Sequence, residues 1–479
     1  MATDYDVIII GAGISGVNSA YWLQKELPES TYTILEQRDS MGGTWDLFRY
    51  PGIRSDSDLH TFGFSWRPWS KANAIADGPS IKSYMKDSAQ QYGIDTKIRY
   101  RHSLKTADWS SAQKQWTITV DADGTPKTYT TRFLWMGTGY YDYHTPLKTE
   151  IPGIDSFQGK KIHPQFWPED YDYTGKKIVI IGSGATAITL LPNLVEKAAH
   201  VTILQRSPSY IMSLPNNHES WIHKYLPSFF SQKIARMQFI LMPWFLFNFV
   251  RRFPNFGRNM MRKLTIPQLP KSIPHDPHFK PRYKPWDQRL CLCPDGDFFK
   301  ALHTGKADMV TSAIKTVTAT GIETETGLTL DADVIITATG LKMQVGGGTT
   351  FSIDGQAFKT PEKFMYRTAM LQDLPNASFV IGYDNASWTL GADTTAILVT
   401  RILKYMKANH YTQVTPTLDR PESLNISPML HLNSTYVEKA KGLIPKTGDS
   451  GPWMGRTSYM QDLWKAKYAD IKHNGLAYS

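Results

Sequence analysis

At 479 residues the chain exceeds one ordinary domain, so two or three lobes with sizeable cores are expected. Apolar residues at 41% and charged residues at 20% mark a globular chain and exclude a disordered or fibrous one. The net charge of +10 is spread along the sequence instead of gathering in a tail. That argues against nucleic-acid binding and leaves attraction to a phosphate-bearing cofactor or an anionic membrane surface.

In chain order, Tyr5-Asp-Val-Ile-Ile-Ile10 is a β-branched run that predicts a strand, and it starts too early to leave room for a signal peptide. Gly11-Ala12-Gly13-Ile14-Ser15-Gly16 follows it and opens a stretch with helical spacing up to Lys25. The first glycine permits a tight turn, and the second lets backbone N–H groups approach a pyrophosphate. The third lets helix and strand pack closely. Thr31–Glu36 reads as the next strand, and Glu36, 20 residues past Gly16, can grip a ribose diol. Phe133–Tyr140 is a buried strand ending in a tight turn, expected to cross between lobes.

The same unit returns later. Lys177–Ile181 precedes Gly182-Ser183-Gly184-Ala185-Thr186-Ala187, and Val201–Gln205 closes it. Thr33-Ile-Leu-Glu36 and Thr202-Ile-Leu-Gln205 match almost residue for residue, which identifies a duplicated nucleotide-binding module. Where the first copy has Glu36 the second has Gln205, followed by Arg206 and Ser207. Loss of the carboxylate and gain of a guanidinium favour a 2′-phosphate, hence NADPH. The first loop, with Gly42-Gly43-Thr44-Trp45 after it, suits FAD as the permanently held partner.

Between Pro208 and Pro285 the chain is rich in aromatics, Pro and Lys/Arg without strand alternation, and predicts a mostly helical insert at about 210–285. Within it, Met237–Val250 is apolar nearly throughout and flanked by Lys233, Arg236, Arg251 and Arg252. It falls short of the ~20 apolar residues a spanning helix needs, and Pro243 is expected to interrupt it. It reads either as a buried helix or tunnel wall, or as an interfacial anchor that makes a peripheral membrane contact. Cys291 and Cys293, the only cysteines, form neither a C-x-x-C nor a disulfide framework, which points to the reducing cytoplasm. The thirteen histidines show no metal-ligand spacing, so no metal is expected. Asp331–Gly340 is the second expected crossing. The expected fold is therefore α/β, with two Rossmann-like dinucleotide-binding domains: an FAD domain of residues 1–145 plus 341–479, and an NADP domain of 146–340 containing the insert.

Two further patterns carry a resemblance. Phe157-Gln-Gly159-Lys-Lys-Ile-His163-Pro-Gln-Phe-Trp167-Pro168 fits F-x-G-x-x-x-H-x-x-x-W-P, and Gly42-Gly43-x-Trp45 continues to Tyr50-Pro51-Gly52 and Asp56. With both glycine loops and the Thr337–Gly340 turn, the chain resembles the type I (class B) Baeyer–Villiger monooxygenases over nearly its whole length. It stands closest to their ethionamide-activating subgroup; Trp286–Cys291 and Asn385–Leu390 support this, and the last 60 residues contribute least.

The resemblance implies that NADPH reduces FAD and that activated, negatively charged oxygen attacks a ketone to give an ester or lactone, with thioethers and thiocarbonyls as further substrates. It implies Arg289 as the catalytic arginine and Asp56 as the carboxylate that orients it. It implies FAD contacts from Ser15, Gly43, Thr44, Trp45, Asp46 and Leu47, with Leu104 touching the adenine through its backbone. Arg54 and Ser55 would face the nicotinamide half. Gln288 stands where many members carry Lys, which weakens the preference for NADPH over NADH. His163 and Trp167 are expected to transmit cofactor binding into lobe movement, not to act on substrate. Substrate-pocket residues are expected from the insert and from 430–460. The enzymatic rival is a flavin-containing N- or S-monooxygenase, which carries Tyr-Lys in place of Trp167-Pro168. A disulfide reductase lacks its paired thiol here, and a redox-sensing or membrane-associated flavoprotein without turnover is the alternative from another class.

Overall fold

The computed structural model describes residues 3–217, 227–429, 435–440 and 442–479, so parts of the insert and of 430–460 lie outside the described residues. Two separate sheets organise the chain. The first is nine-stranded, in the order Gln356–Phe358, Thr350–Ile353, His102–Ser110, Gln115–Ala122, Thr125–Met136, Tyr5–Ile10, Tyr32–Leu35 and Ile98–Arg99, with Ala377–Phe379 also pairing with Thr125–Met136. The second is five-stranded, in the order Ala307–Thr311, His200–Gln205, Lys177–Ile181, Val334–Thr337 and Lys160–Ile162, and every pairing in it is parallel. Parallel strands are covered on both faces, which is why Ile178–Ile181 and Val334–Ile336 read as unbroken apolar runs and are buried.

The duplication is visible in the hydrogen bonding. The Gly11 N–H donates to the Leu35 carbonyl at 2.7 Å, and the Gly182 N–H donates to the Leu204 carbonyl at 2.9 Å. Each glycine loop thus turns off its strand against the end of the neighbouring one and feeds a helix, Ile14–Glu26 in the first copy and Ala185–Leu194 in the second.

Between the sheets the chain crosses twice, along two segments that run side by side. Tyr141 and Met343 form an antiparallel bridge. The Asp142 N–H donates to the Lys342 carbonyl at 2.7 Å and the Gln344 N–H to the Tyr140 carbonyl at 2.9 Å. The Asp142 carboxylate, 2.8 Å from Lys342 Nζ, is disfavoured as an anion by burial, yet bonds from Lys342 and Thr145 hold it well below the usual range.

The insert departs from expectation in two places. Ile211–Leu214 is not helical but a strand, paired in parallel with Cys291–Pro294. Four residues with a partner some eighty positions downstream carry no local signal for it. Pro243 does not interrupt the apolar segment either: one helix runs from Ser228 to Arg252. The missing N–H removes a single rung, and the helix is anchored elsewhere. Arg236 donates to the carbonyls of His60 and Gly63 at 2.8 and 2.9 Å and lies 3.4 Å from Asp393. A second helix, Pro254–Thr265, follows directly. Among the described residues no helix is long and apolar enough to cross a membrane.

Candidate functional site

Both glycine loops open onto one cavity of about 1350 Å³. Its wall brings together Gly13, Ser15, Gly43, Thr44 and Trp45 from the first sheet's side with Gly182, Ser183, Gly184, Ala185, Thr186, Arg206 and Ser207 from the second. Arg54, Ser55, Asp56, Gln288 and Arg289 line it as well. Gly11, Gly16, Glu36, Asp46, Leu47, Leu104 and Ala187 do not line it.

The two helix N-termini explain what the loops can hold. Ile14–Glu26 starts at Gly13 and Ala185–Leu194 at Gly184, and neither start is capped by a side chain. Their first N–H groups are left for an outside acceptor, with the helix dipole favouring an anion. Gly16 cannot be replaced, because a Cβ there would lie 1.8 Å from the Gly11 carbonyl oxygen. Gly184 differs: a Cβ there would meet nothing within 4 Å, so this position faces open cavity.

Behind the first loop, Glu36 is buried and accepts from the N–H groups of Ala12 (2.7 Å) and Arg38 (2.9 Å); burial pushes its pKa upward. It therefore holds the loop as well as closing the strand. Asp46 is a charge hub, 2.7 Å from Arg38, 2.6 Å from Lys82 and 3.2 Å from Arg49. Burial opposes its ionisation, but Lys82 and Arg38 hold the carboxyl below its usual range. Leu104 pairs with Val120 next to a register shift in the strand His102–Ser110.

At the second loop, the Ser183 hydroxyl donates to the Ser207 carbonyl at 2.8 Å. Gln205 is buried, its amide donating to the His278 carbonyl (2.8 Å) and Thr311 (3.0 Å). The position equivalent to Glu36 is thus neutral and occupied with structure, and the exposed Arg206 brings the charge.

The structure brings Arg289 and Asp56 together, with Nη1 3.7 Å from Oδ2 and both side chains partly exposed. Arg54 is fixed by an ion pair with Asp297, the N-terminal residue of the helix Asp297–Leu302, and the same carboxylate accepts from the Cys293 thiol at 3.2 Å. Burial pushes both cysteine thiols up to about 12 and both are free, so the pair is inert as a redox dithiol. His163 does not line the cavity. Its Nδ1 accepts from the Gln165 N–H at 3.3 Å, and burial lowers its pKa, keeping the ring neutral. Gln165 in turn donates to the Asp142 carbonyl at 2.6 Å, which ties the 157–168 motif to one crossing segment.

Several cavity residues were not singled out from sequence. Trp388 donates from Nε1 to the Ser15 hydroxyl at 2.8 Å and stacks on Tyr140 at 5.0 Å. Tyr141 and Thr44 share a 2.6 Å hydroxyl bond, and Tyr141 stacks on Tyr143. Asp58 is half-buried at the start of the helix Leu59–Phe62; desolvation pushes it up to about 6 against two bonds from Thr61. The one available signal was the cluster Tyr140-Tyr141-Asp142-Tyr143 immediately after a Gly-Thr-Gly strand end.

Residues 8–240 match a family described as pyridine nucleotide-disulphide oxidoreductase. The chain is similar to the FAD-containing monooxygenase EthA of Mycolicibacterium smegmatis, 46% identical, covering 100% of this chain and 98% of the relative. It is similar to the EthA of Mycobacterium tuberculosis (44%, 100% and 98%) and to the probable FAD-binding monooxygenase AlmA of Acinetobacter baylyi (42%, 98% and 95%). Among solved structures it is similar in fold to OTEMO in complex with FAD and NADP, with a TM-score of 0.76, 19% identity and full coverage of both chains. The oxidized steroid monooxygenase bound to NADP gives a TM-score of 0.75 at 20% identity, covering 99% of each chain.

Proposed function

The chain belongs to the FAD-containing monooxygenases, and we propose that within that family it is an NADPH- and O2-dependent Baeyer–Villiger enzyme. It inserts one oxygen atom beside a ketone carbonyl to give an ester or lactone, and also oxidises thioethers and thiocarbonyls. The observation that carries this reading is the Arg289–Asp56 pair, 3.7 Å apart on a cavity wall shared by two uncapped nucleotide loops.

The residues present fit both cofactors. On the first sheet's side, residues 1–145 and 341–479, Gly11, Gly13 and Gly16 leave room for the FAD pyrophosphate at the N-terminus of Ile14–Glu26, and Glu36 keeps lone pairs for a ribose. Ser15, Gly43, Thr44 and Trp45 surround the same space, with Asp46 holding the loop, Leu47 following it and Leu104 offering its backbone to the adenine. On the other side, residues 146–340, the loop 182–187 with its open Gly184 receives the NADPH pyrophosphate, and Arg206 and Ser207 its 2′-phosphate. Arg54 and Ser55 lie toward the nicotinamide half. With FAD bound and reduced by NADPH, the site would carry the activated oxygen. The chain supplies charge and geometry: arginine cannot lose its proton, so Arg289 presents a permanent positive group where negative charge develops on the carbonyl oxygen. Asp56 orients that guanidinium, and Asp297 holds Arg54 nearby.

Both free, buried cysteines support a reducing, cytoplasmic setting. The test is product analysis with a simple methyl ketone and a thioether under NADPH and air. Ester from the ketone supports the reading; sulfoxide without any ester assigns the N- or S-monooxygenase alternative. NADPH consumption that yields only hydrogen peroxide with every substrate favours a flavoprotein that turns over no substrate.

A further inference from the structure

The helix Ser228–Arg252 is turned inside out. A helix on a globular surface shows polar residues to water and apolar ones to the core. Here Phe230, Ile234, Met237, Leu241 and Phe245, spaced by three and four positions, are all exposed on one face, while Arg236 is turned inward to Asp393. The apolar surface continues into the next helix. Phe249 contacts the rings of Phe245, Phe253 and Phe256, and Phe253, Phe256 and Leu264 are exposed. Such a contiguous patch marks a surface that meets something other than water.

Charge selects the occupant. Residues 228–275 contain eight Lys or Arg and not one Asp or Glu. Arg251, Arg252 and Lys263 are exposed around the patch, Arg252 lies over the Phe253 ring, and Arg262 is paired with Asp276 beyond it. A second copy of this chain would bring the same positive charge against itself. A bilayer carrying anionic headgroups answers both features: its interface accepts aromatic and aliphatic side chains, and its charge attracts the basic rim.

We propose that the exposed faces of Ser228–Arg252 and Pro254–Thr265 dock this protein peripherally on a lipid bilayer bearing anionic phospholipids. The helix's other side gives the docking a use. Phe239, Pro243 and Phe247 line the cavity, and Met242 and Trp244 belong to both surfaces, lining the cavity while 66% and 49% exposed. The cavity rim therefore sits where the docked face would meet lipid, and an apolar substrate dissolved in the bilayer reaches it without crossing water. The docking itself is independent of the reaction proposed above, so its test is too.

The holoprotein is sedimented with phosphatidylcholine vesicles containing or lacking phosphatidylglycerol. Binding is expected to the anionic vesicles, weakened about tenfold or more by omitting phosphatidylglycerol or by raising salt. The triple variant Met237→Glu/Leu241→Glu/Phe245→Glu, none of whose positions lines the cavity, is expected to stay in the supernatant while keeping its FAD and its flavin reduction by NADPH. Arg251→Gln/Arg252→Gln is expected to lose the preference for anionic vesicles. The proposal is overturned if the wild type ignores both vesicle types or if the triple variant binds as well as wild type. It is equally overturned if the apolar stripe instead supports a dimer, seen by size exclusion, that binds no vesicles.

Discussion

Replacing Arg289 by Ala separates chemistry from stability. The Arg289–Asp56 contact spans 3.7 Å, with side chains 38% and 42% exposed, so solvent screens it. Exposed pairs of this kind contribute about 1 kcal/mol or less. For a chain of this size that shifts the melting temperature by no more than about 4 °C. FAD content and the rate at which NADPH bleaches the flavin should stay near wild type, because neither glycine loop depends on residue 289. Ester formation should fall by about 10²- to 10³-fold, the effect of removing a fixed donor from a developing oxyanion. Arg289→Lys should recover only part of it, since an ammonium keeps the charge but loses the fork. Stopped-flow reduction, gas chromatography of product and a thermal melt on the same preparation read all three quantities. Undiminished ester yield from Arg289→Ala refutes the reasoning. So does an equal loss in flavin reduction and ester, which would make Arg289 a cofactor-binding or structural group.

Three further outcomes are expected. Arg206→Ala should raise KM for NADPH about tenfold or more, the loss of a charge-assisted bond, and leave KM for NADH nearly unchanged; equal effects on both would remove it from the phosphate site. Gly16→Ala should yield protein without FAD, because its Cβ overlaps the Gly11 carbonyl, whereas Gly184→Ala should fold normally and bind NADPH weakly; absorbance ratios and KM values compare them. Asp58, raised to about 6 by burial, binds its proton more tightly folded than unfolded, so its ionisation lowers stability progressively from about pH 4 to pH 6 and fully above. Asp58→Asn keeps an acceptor for Thr61 and should gain about 1–3 kcal/mol at pH 7 but little at pH 4; urea melts across that range check it, and a gain that does not depend on pH contradicts the assigned cause.

Much of the fold was legible because its signals are local. Each βαβ unit announces itself by a β-branched run, a glycine loop and a second run ending in Glu36 or Gln205, and the structure repeats the same turn bond at Gly11 and Gly182. The opposite face of the problem is contact between distant segments. No spacing rule links Arg289 to Asp56 or Arg54 to Asp297; only the resemblance pointed at the first pair, and nothing pointed at the second. Trp388 lay inside a segment used for recognition, yet its bond to Ser15 depends on how the last third of the chain packs over the first helix. The strand Ile211–Leu214 was hidden because its partner is remote, and the helix through Pro243 because tertiary anchoring by Arg236 outweighs one missing rung.

The paired crossings have an engineering consequence. Since Asp142 and Lys342 are joined backbone to backbone, the chain departs for the five-stranded sheet and comes home at practically the same point. Everything from there outward leaves and returns at one point, and is tied back to the first sheet's side through side chains such as Arg236 and Asp297 and the short pairing near Asn216. Two splices at that point would exchange the five-stranded half between relatives, and the new host would have to supply the partners of Arg236 and Asp297.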